Sequence, residues 1–210
     1  MRIDSVTAQP DRAGRYTVKF EDGGVMRLYR QTVEDFGLYS GKELEEAEIQ
    51  NLRKAAGQMS AKMRAVRIVS ASSVSKSDLQ RRLVQKGEKQ SDAQQAVAWM
   101  SDLGLLDDEK TARQVVERCI AKGYGLARAK QALYEKQIPK TYWDAALSDY
   151  PDQQDKILSF LRSRLKGDWD QKDLRRVTDA LLRRGHSYQE IRKALQEFSE
   201  NADFQEEYYG

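Results

Sequence analysis

Residues 75–87 read SKSDLQRRLVQKG, and this stretch decides the fold because its pattern returns twice further along the chain. A polar residue is followed by two apolar residues four apart, which share one helical face, and then by a glycine that favours the end of a helix. The matching stretches are GLARAKQALYEKQ at residues 125–137 and DLRRVTDALLRRG at residues 173–185. The anchor leucines of the three copies are Leu83, Leu133 and Leu181. Apolar residues recur ten and fourteen positions after each anchor, which predicts a second helix packed on the first.

Helix caps and a further amphipathic segment extend each copy to three helices. Three pairs of residues have the pattern of a helix amino-terminal cap, in which a small polar residue or aspartate lies three positions before an acidic residue. The pairs are Ser75 with Asp78, Asp170 with Asp173, and Ser187 with Glu190. A third helix is predicted before each pair of helices, at about residues 59–71, 107–122 and 152–166. One helix pair cannot bury its own apolar face, so we predict a mainly α protein whose tandem three-helix repeats form an elongated array.

The amino-terminal forty residues have a different pattern. Ile3 to Gln9, Arg15 to Glu21 and Val25 to Arg30 are rich in β-branched and aromatic residues, and the Asp22-Gly23-Gly24 segment is typical of a hairpin turn. We predict a small β meander, packed on a Glu-rich helix from about Lys42 to Ala56, since an isolated meander would be marginally stable.

The sequence therefore predicts six segments. They are a β meander (1–40), a linking helix (41–58), three-helix repeats 1, 2 and 3 (59–104, 105–149 and 150–200) and an acidic tail (201–210). From Glu197 onward the net charge is −5, which is typical of a solvated end, although a tail that shields a basic surface is an alternative.

Composition favours a soluble cytoplasmic protein. The chain has 210 residues, 40% of them hydrophobic, with no apolar run near the roughly 20 residues that a membrane span needs and no signal-peptide pattern at its start. The single cysteine, Cys119, excludes an intramolecular disulfide, and its place on an apolar stripe indicates a packed core thiol rather than a nucleophile. We expect a monomer that contacts no membrane.

Basic charge is concentrated in the repeat helices. Residues 57–89 and residues 110–140 each carry a net charge of +6, and residues 161–185 carry +4. Aligned basic side chains of a repeat protein can meet phosphates or an acidic protein groove, whereas the alternative is that they only solvate exposed helix faces. The candidate partner-binding residues are Arg81, Arg82, Arg113, Arg118, Lys122, Tyr124, Arg128, Lys130, Arg175 and Arg176.

Residues for catalysis or metal binding are scarce. The single histidine, His186, lies between a glycine and a cap residue, where a turn role without chemistry is the better interpretation. Asp107, Asp108 and Glu109 could attract a divalent cation, but acids at the start of a helix are explained by the helix dipole. The three tryptophans fit packing positions better than base-stacking ones. We expect no enzyme activity and no metal or cofactor.

Three blocks resemble the RecX family of regulatory proteins. Residues 75–83, followed by Lys86-Gly87, resemble its S-x-x-E-L-x-x-K-L…KG block. Residues 106–112, reaching Arg118, resemble its L-D-D-x-x-F-A segment, and residues 123–133 resemble its G-x-G-P-x-R-I-x-x-E-L segment. The resemblance covers about residues 59–200. Departures from the family pattern are Thr111 in place of an aromatic residue, Leu126 in place of proline and Ala132 in place of glutamate.

The resemblance implies a regulator that binds the RecA filament on DNA and inhibits its recombinase, ATPase and co-protease activities without chemistry of its own. Its partners would be the RecA filament and DNA, the latter contacted directly or through RecA. The alternative is a basic helical DNA-binding module that competes for single-stranded DNA, which would show strongly salt-dependent binding to naked DNA.

Overall fold

A computed structural model describes residues 1–167 and 169–209, with side chains described up to residue 200. The elements are β1 (Ile3–Val6), β2 (Arg15–Phe20), β3 (Val25–Tyr29), α1 (Arg30–Asp35), α2 (Glu46–Ala71), α3 (Lys76–Gln85), α4 (Gln90–Asp102), α5 (Asp108–Ala121), α6 (Leu126–Glu135), a 3-10 helix (Lys140–Tyr142), α7 (Trp143–Leu147), α8 (Gln154–Arg164), α9 (Gln171–Arg183) and α10 (Tyr188–Tyr209). The predicted fold class is confirmed: the described chain is mainly helical, with a small amino-terminal sheet. It forms two compact units, Met1–Leu106 and Asp107–Gly210.

The amino-terminal sheet is an antiparallel meander in the order β1-β2-β3. The predicted turn between β2 and β3 is present: Gly23 has a φ of +84°, a value that L-residues with side chains rarely adopt, and the Asp22 carboxylate accepts a hydrogen bond of 2.9 Å from the Gly24 amide. Val18 and Leu28 of the sheet pack in one core with Leu52 of α2. The predicted packing of the meander on a helix is therefore confirmed.

The helix that follows the sheet differs from its prediction in start and length. It begins at Glu46 rather than near Lys42, because residues 41–44 pair with the amino terminus: the Leu44 amide donates to the Met1 carbonyl at 2.8 Å. Glu45 and Glu48 form a capping box at the new start. The helix then runs without a break to Ala71, so the predicted linking helix and the predicted helix at 59–71 are one element of 26 residues.

The remaining helices of the first unit form a single core. The anchor Leu83 and Leu79 of α3 are fully buried against Ala61 of α2 and Ala93 of α4. Full burial of a leucine side chain contributes about 1.5–3 kcal/mol, so the anchors are a main source of this unit's stability. Gly57 of α2 leaves room for the Asp92 side chain of α4, since a Cβ atom there would lie 2.6 Å from Oδ2 of Asp92.

The second unit contains two cores. The anchor Leu133 of α6 packs with Ala112 and Val116 of α5, and the anchor Leu181 of α9 packs with Ile157 of α8 and Ile191 of α10. In the middle repeat, the predicted second helix is short: a 3-10 turn follows Pro139, and α7 then spans only Trp143–Leu147.

Local signals for helix ends are accurate. The predicted caps are formed by hydrogen bonds from the Asp78 amide to Ser75 at 3.0 Å, from the Asp173 amide to Asp170 at 2.8 Å, and from the Glu190 amide to Ser187 at 3.2 Å. Gln137 adopts a φ of +52° at the position that Gly87 and Gly185 occupy in the other copies.

Other side-chain predictions have mixed outcomes. Cys119 is buried, as predicted, and burial raises the pKa of its thiol. Trp99, Trp143 and Trp169 all pack against hydrophobic cores, which confirms their structural role.

The division into three repeats at 59–104, 105–149 and 150–200 remains a prediction. α10 continues to Tyr209, but the proposed shielding by the acidic tail (201–210) concerns side chains outside the described ones.

Candidate partner-binding site

The ten candidate residues lie on the helices, or at the helix ends, of the three-helix segments. Arg81 and Arg82 belong to α3 in the first unit, and the other eight lie in the second unit. The candidates therefore divide into a pair on α3, a group around the turn between α5 and α6, and a pair on α9.

The two arginines of α3 share one buried carboxylate. Asp78 is fully buried, and it forms ion pairs with Arg81 and with Arg82, the latter at 2.8 Å. Its backbone amide is held by the Ser75 cap, so the carboxylate is fixed at the first turn of the helix. The carboxylate positions both guanidinium groups while part of each remains exposed.

Cations of α5 lie mostly on its exposed side. Arg113 forms an ion pair with Glu109 one turn earlier, and Arg118 is exposed in the last turn. Lys122 caps the carboxyl end of the helix and is exposed, and a cation there is favoured by the negative end of the helix dipole.

The start of α6 adds two more cations. Arg128 forms an ion pair with Glu135 at 2.9 Å, and that hydrogen bond raises the pKa of the guanidinium group. Lys130 is exposed. Burial raises the pKa of the Cys119 thiol, and the charges of Arg128 and Lys122 act in the opposite direction, so both cations lie within electrostatic range of this thiol.

The pair on α9 is more exposed. Arg175 and Arg176 both project from the surface of the helix, and Arg176 pairs with Asp173 at 3.5 Å. Exposed ion pairs of this kind contribute about 0–1 kcal/mol, so these side chains can exchange partners at little cost.

The turn at Gly123-Tyr124-Gly125 is joined directly to the turn that follows α9. The Gly125 amide donates to the Arg184 carbonyl at 3.0 Å, and the Ala127 amide donates to the Gly185 carbonyl at 3.3 Å. A Cβ atom at Gly125 would lie 2.0 Å from the Gly185 carbonyl oxygen, and one at Gly185 would lie 2.3 Å from the Arg128 amide nitrogen. Only glycine fits at either position. We call this contact the turn junction.

His186 completes the turn junction. It is buried, and its Nε2 lies 3.1 Å from the Gly123 carbonyl, which requires a proton on Nε2, while Nδ1 has no partner among the described residues. Burial lowers the pKa of the imidazole. The predicted turn position is confirmed, but the sequence did not indicate that this histidine joins two helical turns 63 residues apart.

Tyr124 is held within the same junction. Its carbonyl accepts a hydrogen bond of 2.6 Å from the Tyr150 hydroxyl, whose pKa burial raises to about 12. The guanidinium carbon of Arg184 lies 5.9 Å from the Tyr124 ring and 4.6 Å from the Phe160 ring, within cation–π range. Sequence reasoning missed Arg184, because its two aromatic neighbours are distant in the chain. Tyr124 is half-buried, and its part in partner binding remains a prediction.

The acidic cluster at the start of α5 has a structural function. The Asp107 side chain accepts a hydrogen bond of 2.9 Å from the Lys110 amide and so caps the helix, a structural role beyond the helix-dipole effect predicted for these acids. Among the described residues, no group of three or more His, Cys, Asp or Glu side chains is placed to bind a metal ion. Nor does any described helix have the length and apolar content of a membrane span.

Together these elements define a class: a mainly helical protein of three-helix segments with a small amino-terminal sheet. A family model described as "RecX, second three-helix domain" matches residues 107–147. The regulatory protein RecX of Stenotrophomonas maltophilia is 30% identical over 123 residues, which span 57% of this chain and 76% of that protein. The chain belongs to the RecX family of regulatory proteins.

Two further comparisons agree. The regulatory protein RecX of Vibrio campbellii is 27% identical over 140 residues, spanning 65% of this chain and 90% of that protein. A crystal structure of a regulatory protein RecX has the same fold, with a TM-score of 0.59 and 22% identity, over 91% of this chain and 98% of that one.

Proposed function

We propose that this chain binds the RecA filament on DNA and lowers its ATPase, recombinase and co-protease activities. It acts by binding alone, as a monomer in the cytoplasm. The observation that carries the proposal is membership of the RecX family, which gives the chain a regulatory role. Its partner follows from the sequence resemblance of residues 59–200 to proteins that act on RecA.

Exposed cations supply a physical reason for binding to a nucleoprotein filament. Lys122, Lys130 and Arg175 are exposed on separate elements of the second unit, and each can approach a phosphate or a carboxylate. Every phosphate that a cation neutralises releases condensed counterions, so such contacts weaken as salt is raised. Arg128 is less suited to this role, because it already pairs with Glu135 and its backbone abuts Gly185.

Charge reversal tests which cations contact the partner. The variant Lys122→Glu/Lys130→Glu changes two exposed side chains that make none of the hydrogen bonds of the turn junction, and Lys19→Glu/Arg27→Glu is a matched control on the exposed side of the sheet. Cosedimentation with RecA–DNA filaments should weaken at least tenfold in the first variant and remain at the wild-type value in the control. Equal binding by the folded first variant would contradict the assignment of these cations.

Binding to naked DNA separates the proposal from the competition model. A regulator of the filament should bind RecA–DNA filaments more tightly than labelled single-stranded DNA at the same salt concentration. Fluorescence anisotropy across a salt series measures both affinities. Tighter binding to naked DNA, with inhibition that disappears when free DNA is added, would favour the DNA-binding module instead.

A further inference from the structure

An exposed apolar residue recurs at one register position in three helices. Val84 of α3, Tyr134 of α6 and Leu182 of α9 each follow directly after the buried anchor leucine of their helix. Their exposed fractions are 38%, 72% and 43%, whereas the anchors are at most 1% exposed. Consecutive residues of a helix are rotated by about 100°, so this position lies beside the core-facing stripe rather than within it.

Packing within the chain does not account for these side chains. All residues of α3 and α9 are described, and the large exposed apolar residue of each is Val84 in α3 and Leu182 in α9. In α6 there are two such residues, Tyr134 and Leu126. Single exposed apolar residues are normal on protein surfaces. The same position in three repeated helices is a stricter observation, because a polar residue there would leave the core unchanged and favour the helix equally well.

Each of these apolar residues belongs to a wider face with one cation. We define the repeated face as the positions six, three and two before the anchor and one after it. Its members are Ser77, Gln80, Arg81 and Val84 in α3, Ala127, Lys130, Gln131 and Tyr134 in α6, and Arg175, Thr178, Asp179 and Leu182 in α9. Every copy thus combines one large apolar side chain with one lysine or arginine, and the other members are small, polar or acidic.

In α3 the repeated face forms a groove. The groove has a volume of about 410 Å³ and is lined by Ser77, Gln80, Arg81, Val84, Gln85 and Gln90. Val84 is the apolar residue of this lining, and Arg81 is the cation. Arg81 and Arg82 share the single carboxylate of Asp78, so one positive charge of the pair stays uncompensated. The groove therefore presents an apolar surface close to a net positive charge, which complements an apolar side chain adjacent to a carboxylate.

We propose that each copy of the repeated face, in α3, in α6 and in α9, docks a protein partner that presents an apolar side chain beside a carboxylate. The assignment rests on the proposed function, because the partner tested is the protein subunit of the RecA filament. Apolar contact with a neighbouring charge pair is a usual composition for a protein interface.

The chemistry of the face favours protein over nucleic acid. Base stacking requires an aromatic ring or a guanidinium plane, and two of the three apolar positions are the aliphatic residues Val84 and Leu182. The charge of the face is also low, because its twelve positions hold three cations and one carboxylate, Asp179. A phosphate-binding surface would require a larger excess of cations.

The test combines the full chain with RecA–DNA filaments in a cosedimentation assay. The variant Val84→Ser/Tyr134→Ser/Leu182→Ser removes the three exposed apolar groups without touching an anchor. The control Val25→Ser/Tyr39→Ser removes two exposed apolar groups from the amino-terminal region. We expect the triple variant to bind at least tenfold more weakly and the control to bind as the wild type does. Circular dichroism and urea midpoints check that both variants fold.

Substitutions at Tyr134 alone identify the class of partner. A protein contact tolerates Tyr134→Leu and Tyr134→Phe but is weakened by Tyr134→Ser, whereas base stacking tolerates Tyr134→Phe alone. Loss of binding in Tyr134→Leu with retention in Tyr134→Phe would overturn a protein contact.

Wild-type binding by the folded triple variant would overturn the repeated face as the docking surface. Failure of the wild type to bind filaments would overturn the proposed function and, with it, this assignment.

Discussion

Replacement of Gly125 by alanine should break the turn junction while leaving every helix intact. Gly125 has a φ of −76°, which alanine adopts without strain, so the backbone conformation itself imposes no penalty. The added Cβ atom would instead lie 2.0 Å from the Gly185 carbonyl oxygen, a separation that neither backbone can accept. The two turns must therefore move apart.

Separation of the turns breaks three hydrogen bonds. They are the bonds from Gly125 to Arg184, from Ala127 to Gly185 and from His186 to Gly123. Each contributes about 1 kcal/mol, so the free energy of unfolding should fall by about 3 kcal/mol. Gly87→Ala is a matched control: Gly87 has a φ of +91° and open space around it, so that substitution should cost only the left-handed conformation, about 1–2 kcal/mol.

Urea denaturation followed by tryptophan fluorescence measures the difference. In a Trp99→Phe background the signal comes from Trp143 and Trp169, both of which lie in the second unit. Gly125→Ala should lower the unfolding free energy reported by these two tryptophans by about 3 kcal/mol, and Gly87→Ala should lower it by no more than about 1–2 kcal/mol. A loss below about 1 kcal/mol in Gly125→Ala would refute the reasoning, because the turns would then not depend on close backbone contact.

Three further predictions concern buried polar groups. Burial lowers the pKa of the His186 imidazole below its value in the unfolded chain, and Arg184 adds a smaller effect in the same direction. The unfolded state therefore binds the extra proton, so stability should fall as the pH drops below about 6.5. Urea midpoints at pH 7.5 and pH 5.5 should differ more for the wild type than for His186→Gln. Asp78→Ala should cost about 1.5–3 kcal/mol by removing a buried acceptor of two ion pairs, and thermal unfolding of Asp78→Ala against the exposed-site variant Ser77→Ala checks this. Cys119 is buried with a raised thiol pKa, so a disulfide reagent should react with it only after urea unfolds the chain, and rapid reaction in the native state would contradict its burial.

Features set by local sequence were predictable. The caps at Ser75, Asp170 and Ser187 and the hairpin at Gly23 follow from residues within four positions of one another, and all are present. The buried anchor leucines follow from helical periodicity, which is also a local property. Tandem repetition then made the fold class visible from the sequence.

Features that depend on distant contacts were not predictable. The sequence predicts separate helices at about 42–56 and 59–71, but α2 runs through both, and Gly57 within it leaves room for the Asp92 side chain of α4. The start of α2 is shifted because residues 41–44 pair with the amino terminus. His186 resembled an ordinary turn residue, since its partner Gly123 lies 63 positions earlier. The repeated face has another cause: helical periodicity identifies the buried anchors, whereas the exposure of Val84, Tyr134 and Leu182 beside them becomes known only from the structure.

The central claim is that the chain regulates RecA by binding its filament, and DNA-dependent ATP hydrolysis by RecA tests it most directly. The chain is titrated at substoichiometric ratios to RecA, while the concentration of single-stranded DNA is varied independently. We predict that ATP hydrolysis is inhibited at molar ratios well below one chain per RecA subunit, and that this inhibition persists when free DNA is added in excess. Unchanged ATP hydrolysis, or inhibition that disappears with added DNA, would contradict the claim.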